Sequence, residues 1–258
     1  MSTAPDPAPH ADPPPHAPLP LIHQDEWLLA VHKPAGMLVH RSSLDAQEED
    51  DLVTRLRAQL GAPVWPAHRL DKGTSGVLLL ARDAATASAL GEAFAEGRTT
   101  KHYRALVRGW PGAPGGADEW GEIDQPLARD PELPSAGQPR LPACTRWQVL
   151  QRWEWPLATH PAHAGTRVAL MAVQPLSGRR HQIRRHFKHI GHPLIGDATH
   201  GKGPLNRAIA AWLGHGRLWL HAERLALTHP VTGQPLELHA APGSEWDLLH
   251  TAPPVTDC

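Results

Sequence analysis

His68-Arg69-Leu70-Asp71-Lys72-Gly73-Thr74-Ser75-Gly76-Val77 sets one carboxylate among cationic groups, on a short polar link that runs into Leu78-Leu79-Leu80. The apolar run reads as a buried strand. Upstream lies Val64-Trp65-Pro66-Ala67, where Pro66 discourages helix. Asp71 therefore belongs to a loop at the mouth of a strand, a place where a rigid scaffold commonly holds reactive groups. Gly73 and Gly76 suit a tight turn and a close backbone approach. Read as chemistry, Asp71 is a nucleophile or base kept ionised by a neighbouring cation; an Arg partner typically lowers an Asp pKa by about 1–3 units. Read as structure, it is a loop Asp that caps a turn or pairs with an Arg. The spacing leaves both open.

The 258 residues allow one large domain or two small ones, with ample core. The formal net charge is −1, so the sum does not announce a nucleic-acid binder. The distribution carries more information. Arg98, Lys101, Arg104 and Arg108 fall in one stretch without an acid, and Arg179, Arg180, Arg184, Arg185 and Lys188 fall in another. Acids gather over 45–51 and 118–132. That pattern fits one basic face, and equally two solvated segments. Cys144 and Cys258 are the only cysteines and form no motif, so a reducing cytoplasm is expected and a disulfide framework is not. No signal sequence and no membrane-length apolar run is read.

Along the chain, the Pro-rich residues 1–20 read as a disordered tail, with order from Leu21. A hairpin is expected over Leu21–Val31, turning at Gln24-Asp25-Glu26, followed by a Lys33-Pro34-Ala35-Gly36 turn and a solvated acidic loop to Asp51. Leu52, Val53, Leu56 and Leu60 have helical spacing, closed by Gly61. Asp83 caps a second helix that ends at Gly97. Residues 99–108 alternate as a strand. Residues 110–142 read as a long loop with one short strand near Glu122-Ile123. Thr145–Trp155 and Thr166–Val173 read as paired strands turning around Pro161. Ile183, Phe187 and Ile190 mark a helix face ended by Gly191, with Arg180, Arg184 and Lys188 on a shared cationic side. Residues 205–213 form a short helix, 218–227 and 236–239 a closing hairpin, 244–250 a last helical turn, and 251–258 fray.

The central string, His68-Arg69-Leu70-Asp71 followed by Thr74-Ser75-Gly76, resembles the signature of the RluA-type pseudouridine synthases. Lys101-x-Tyr103-x-Ala105 and Gly178-Arg179-Arg180-His181-Gln182-Ile183-Arg184-Arg185-His186 resemble two further blocks of that family, in order. Lys33-Pro34-x-Gly36 and Gly196-Asp197-x-x-His200-Gly201 match as well, and the blocks span most of residues 20–240. Trp27 to Pro34, Leu38-Val39-His40-Arg41-Ser42 and Ala67 to Leu79 are most similar to the bacterial tRNA pseudouridine-65 synthases. Cys144 departs mildly, standing where the family has Val in an A-V-T string.

The resemblance implies an α+β pseudouridine synthase fold: a mixed, mostly antiparallel sheet flanked by helices and loops, with a central active-site cleft. It implies one catalytic domain over 21–250, without a separate S4-type RNA-binding domain. Asp71 would be nucleophile or base, Arg184 would pair with it, and Tyr103 would stack on the flipped base and assist proton removal at C5. Arg69 would fill the space the base leaves. His68, Lys101, Arg180 and Lys188 would join it in RNA binding, making association salt-dependent. The partner would be tRNA at uridine 65, or alternatively 23S rRNA or both, and the protein a monomer. The isomerisation needs no redox step or energy input, so no cofactor is expected. No metal is expected either: His181, His186, His189 and His192 cluster, but without an H-E-x-x-H or a Cys pair. Two other classes are set beside this reading. One is a non-catalytic RNA-binding or folding factor. The other is a hydrolase built on His68, Asp71 and Ser75, disfavoured because Gly73-Thr74-Ser75-Gly76 is no G-x-S-x-G elbow.

Overall fold

The computed structural model describes residues 17–40, 50–112, 119–159 and 163–251. The expected hairpin is β1 (Leu21–Gln24) and β2 (Leu28–Lys33), turned on the Asp25 carboxylate, which accepts the Trp27 and Leu28 N–H groups at 2.8 and 2.7 Å. Helix α1 (Leu52–Leu60) starts on the Asp51 side chain and stops at Gly61, at a φ of 64°. β3 (Trp65–Pro66) leads into the Asp71 loop and β4 (Ser75–Ala81) leaves it, buried along its whole length. α2 (Ala84–Ala95) is capped by Asp83, and β5 (Thr99–Arg108) follows. Then come β6 (Gly121–Asp124), β7 (Leu127–Ala128), β8 (Arg140–Leu141), β9 (Cys144–Trp155) and β10 (Thr166–Pro175). Helices α3 (Gln182–His189) and α4 (Gly203–Leu213), strands β11 (Leu220–Thr228) and β12 (Pro235–His239), and a 3₁₀ helix over Ser244–Thr251 complete the order.

Ten strands share one sheet in the order β1-β2-β4-β11-β5-β10-β9-β6, with β3 added beside β4 and β12 beside β11. The pairing is antiparallel except between β4 and β11, which run parallel for only two residue pairs, His221 with Ser75 and Ala222 with Gly76. Beyond that contact the two strands part, and β3 and β12 take up the freed edges. The close approach needs a glycine. A Cβ on Gly76 would lie 2.1 Å from the Ala222 carbonyl oxygen, and its φ of 113° disfavours any L side chain. The Asp71 loop emerges at this crossing.

The alternation of β2 and β4 explains their unbroken apolar sequence. Leu29, Val31, Leu78 and Leu80 face one way, under α1, while Leu28, Ala30, Val77 and Leu79 face the other, toward α2. Helix α3 buries Ile183 and Phe187 against Ala105, Val107, Trp147, Met171 and Val173. Burying two such side chains contributes roughly 2 kcal/mol each and fixes the helix's rotation. Four tryptophans, Trp153, Trp155, Trp219 and Trp246, form another cluster with α4.

The backbone departs from the sequence reading at several points. Order begins before Leu21: Leu19 is buried, and its backbone exchanges hydrogen bonds with the Gln59 amide. Asp51, expected in a solvated loop, is buried as the cap of α1. Residues 110–142 hold more than one short strand, because β7 and β8 pair with each other and Gln138 staples the loop between them through Asp130, Leu133 and Pro134. Residues 1–16 of the expected tail, most of the acidic run, the turn at Pro161 and the end beyond Thr251 lie outside the described residues.

Candidate active site

The loop that carries Asp71 is held from several sides. Its Lys72 carbonyl accepts the Gly36 N–H at 2.8 Å and the Lys33 ammonium at 3.1 Å. Lys33 is fully buried and also donates to the Pro34 carbonyl, at 2.8 Å. Burial pulls its pKa down to about 7, against the Asp71 charge and with that of Arg217. So the Lys-Pro-x-Gly turn fixes the residue next to Asp71. On the other side, Thr74 N–H donates to the Asp71 carbonyl at 3.0 Å. His68 accepts the Leu79 N–H on Nε2 at 3.1 Å, and its ring stacks on Phe94 at 4.7 Å. Burial and then the Lys101 charge bring its pKa down to about 3, so His68 is a neutral anchor whose Nε2 lone pair is already used.

Across the cleft, α3 presents Arg184, whose guanidinium spans two carboxylates. Nη1 donates to Asp71 Oδ2 at 2.9 Å, while Nε and Nη2 grip Asp197 Oδ2 and Oδ1, each at 2.8 Å. The Asp197 side chain is fully buried, that of Arg184 is 9% exposed and that of Asp71 is 23% exposed. Asp197 also accepts the Thr199 and His200 N–H groups at 2.9 and 2.8 Å. Burial opposes its charge, but the Arg184 and His200 hydrogen bonds outweigh that and hold its carboxyl below the usual range. Burial likewise opposes the Arg184 charge, and the two carboxylates reverse the balance upward. A buried guanidinium needs such pairing. Because Asp197 holds two of its donors, the third is aimed at Asp71. That leaves Asp71 Oδ1 facing the cleft, 3.8 Å from His181 Nε2.

The cleft has a volume of about 430 Å³, and Asp71, Tyr103 and Arg184 all line it, with His68, Arg69, Lys101 and Arg180. Burial, reinforced by the Asp71 charge, pushes the Tyr103 phenol well above its ordinary value, so it keeps its proton at neutral pH. Lys101 donates to the Ser177 carbonyl at 3.2 Å, and burial lowers its pKa. Arg180 precedes α3 rather than continuing its face, and it pairs with Asp130 at 3.5 Å and with Glu132. Lys188 does not share this cleft. It lines a second hollow with Arg140, Arg185, His189 and His200. Of the expected common side, Arg180 and Arg184 thus meet in the cleft and Lys188 lies apart from them.

Sequence reasoning assigned no role to Asp197, Lys33 or His181. Asp197 stood in the quoted Gly-Asp-x-x-His-Gly string, but nothing local reveals that it shares Arg184 with Asp71. The hydrolase arrangement does not form: Ser75 is buried and bonded to His221 Nδ1 at 2.8 Å and Arg217 at 2.6 Å. The clustered histidines diverge. His186 is held by Thr145 and the Gln125 carbonyl, and His192 by the Arg108 carbonyl. Among the described residues no three His, Cys, Asp or Glu side chains converge on a metal-sized site, and no helix is long and apolar enough to cross a membrane.

A family model described as RNA pseudouridylate synthase matches residues 27–189. A Vibrio cholerae protein described as tRNA pseudouridine synthase C is 42% identical over 236 residues, covering 90% of this chain and 94% of that one. Its Salmonella typhimurium counterpart is 41% identical over 233 residues, covering 88% and 87%. Among solved structures, human RNA pseudouridylate synthase domain containing 1 superposes with a TM-score of 0.67 at 26% identity, covering 90% of this chain and 86% of that one.

Proposed function

The chain belongs to the RNA pseudouridylate synthase family, and on that premise we propose that it converts uridine 65 of tRNA to pseudouridine. The observation that carries this reading is the Asp71 carboxylate held at the cleft by an Arg184 that is itself clamped to Asp197. The reaction breaks N1–C1′ and forms C5–C1′; C5 loses a proton and N1 gains one. Asp71 Oδ1 faces the ribose and acts there, as nucleophile at C1′ or as base at C2′. Arg184 fixes its direction before substrate arrives, which is where positioning contributes most. The Tyr103 ring stacks on the extruded base, and exposed Arg69 fills the gap left in the RNA. Extrusion costs a few kcal/mol. Lys101, Arg180 and Lys188 offset this through phosphate contacts, Arg180 by exchanging Asp130 and Glu132 for RNA. His68 serves RNA binding indirectly, by shaping the loop. The enzyme works as a cytoplasmic monomer without cofactor or metal.

The test uses tRNA transcripts with uridine or cytidine at position 65, mapped for pseudouridine after incubation. Modification at 65 of the first transcript alone is expected. Modification of both at another position would move the site, and modification of 23S rRNA fragments only would favour the rRNA alternative. Salt-sensitive binding with no pseudouridine in any RNA would favour the folding-factor reading.

A further inference from the structure

The isomerisation must strip a proton from C5, and the cleft offers few groups able to take it. Tyr103, buried beside the Asp71 charge, keeps its own proton. His68 Nε2 is occupied by the Leu79 N–H. Asp71 Oδ2 is tied to Arg184, and its free oxygen is committed to the ribose. His181 remains. Its Nε2 lies beside Asp71 Oδ1, and its Nδ1 is 3.0 Å from His200 Nε2.

The backbone supports a special role. Among the described residues His181 is the only non-glycine at positive φ, at 55°. Such strain collects at functional sites, where the surroundings hold a side chain in place. Here it sits immediately before α3 and turns the ring toward the loop. Around His181, burial favours the neutral ring, Asp71 and Asp197 oppose it, and Arg184 and Arg180 reinforce it, so its pKa is lowered. His200 is lowered to about 4 by burial, against Asp197 and with Arg184, His181 and Lys188. A neutral ring has a lone pair to offer. His200 in turn lines the second hollow, of about 420 Å³, beside Arg185 and Lys188.

Resting on the pseudouridine reading, we propose that His181 is a further catalytic residue, the base that removes the C5 proton, with His200 passing that proton to solvent. His181 would carry its hydrogen on Nδ1, donated to His200 Nε2. After C5–C1′ has formed, Nε2 takes the C5 proton and the C–H electron pair restores the C5=C6 double bond. His181 Nδ1 then releases its proton to His200 Nε2, and His200 Nδ1 releases one to water in the second hollow. N1 takes its proton from water, and both rings return to their starting tautomers by exchange with solvent. No oxidant, reductant or cofactor enters.

The test compares wild type, His181→Asn and His200→Gln on a tRNA transcript carrying protium or deuterium at C5 of the target uridine. Asn tolerates the left-handed backbone, so His181→Asn should fold. We expect single-turnover pseudouridine formation to fall roughly 100-fold or more in His181→Asn, with unchanged RNA affinity. We also expect its C5 isotope effect to rise above that of wild type, the acid limb of its pH profile to disappear, and added imidazole to restore part of the rate. His200→Gln should show a smaller loss with the same rise in isotope effect. A slowed His181→Asn with the wild-type isotope effect and pH profile, unmoved by imidazole, would reduce His181 to a support of the loop and overturn the proposal. So would wild-type rates. An inactive wild type would instead fail the pseudouridine reading itself.

Discussion

Arg184 sits between two carboxylates, and their unequal burial predicts a separation of stability from chemistry. Asp197 is fully buried and holds two guanidinium donors and two backbone N–H groups. Asp197→Ala leaves a buried cation short of its main partner, a defect that costs about 4 kcal/mol. At a urea m-value of about 2.5 kcal/mol/M, the midpoint should fall by about 1.6 M. Asp71 is 23% exposed, and its removal leaves Arg184 paired with Asp197. Asp71→Ala should therefore cost less than about 1 kcal/mol, while abolishing turnover. The sign with pH follows from the lowered Asp197 pKa. Its stabilisation is complete above the unfolded value, near pH 4, and fades as pH falls toward the folded value. Urea titrations of both variants and wild type at pH 7 and pH 3.5 check this. Equal destabilisation by the two variants, or an Asp197→Ala midpoint within about 0.3 M of wild type, would mean that Asp197 is not the main anchor of Arg184.

Tyr103→Phe, which keeps the ring, should retain the rate within about tenfold and gain no new basic limb between pH 6 and 9 in a single-turnover pH profile. Loss of the rate to the level of Asp71→Ala would show the hydroxyl to be the acting group. Lys33 has a folded pKa of about 7, so between there and about 10.4 the unfolded chain binds the extra proton. Its effect on stability therefore rises with pH through that window, by on the order of 4 kcal/mol, and is flat below pH 7. The wild type minus Lys33→Met difference in unfolding free energy should show that rise, and a constant difference from pH 7 to 9.5 would contradict it. Gly76→Ala should destabilise by about 3 kcal/mol or more, read as a lowered melting temperature, because its Cβ would meet the Ala222 carbonyl at 2.1 Å. An unchanged melting temperature would mean that the β4–β11 contact yields easily.

Most of the framework was legible because it rests on local rules. Asp83 caps one helix, Gly61 ends another, and the apolar run after Ser75 becomes a strand covered on both faces. The loop over 129–139 escaped because Gln138 organises it through contacts of its own, which composition conceals. Asp71, Tyr103 and Arg184 were reachable through family strings, and the structure brings them to one cleft. The pairing of Arg180 was not, since Asp130 and Glu132 lie about fifty residues away in sequence. A helix starting at Gln182 leaves Arg180 off its face, and Lys188, one turn beyond Arg184, lines another hollow, which spacing alone could not show. His181 lies beside Asp71, and Asp197 reaches it through Arg184; both are distant in sequence, and only the closed fold reveals them.

The proposed isomerisation rests on the Asp71 carboxylate. The most direct measurement is tritium release from tRNA transcribed with 5-tritiated uridine, comparing wild type with Asp71→Ala at matched RNA affinity. Release by wild type and none by Asp71→Ala is the predicted result. Release at wild-type rate by Asp71→Ala would remove Asp71 from the chemistry.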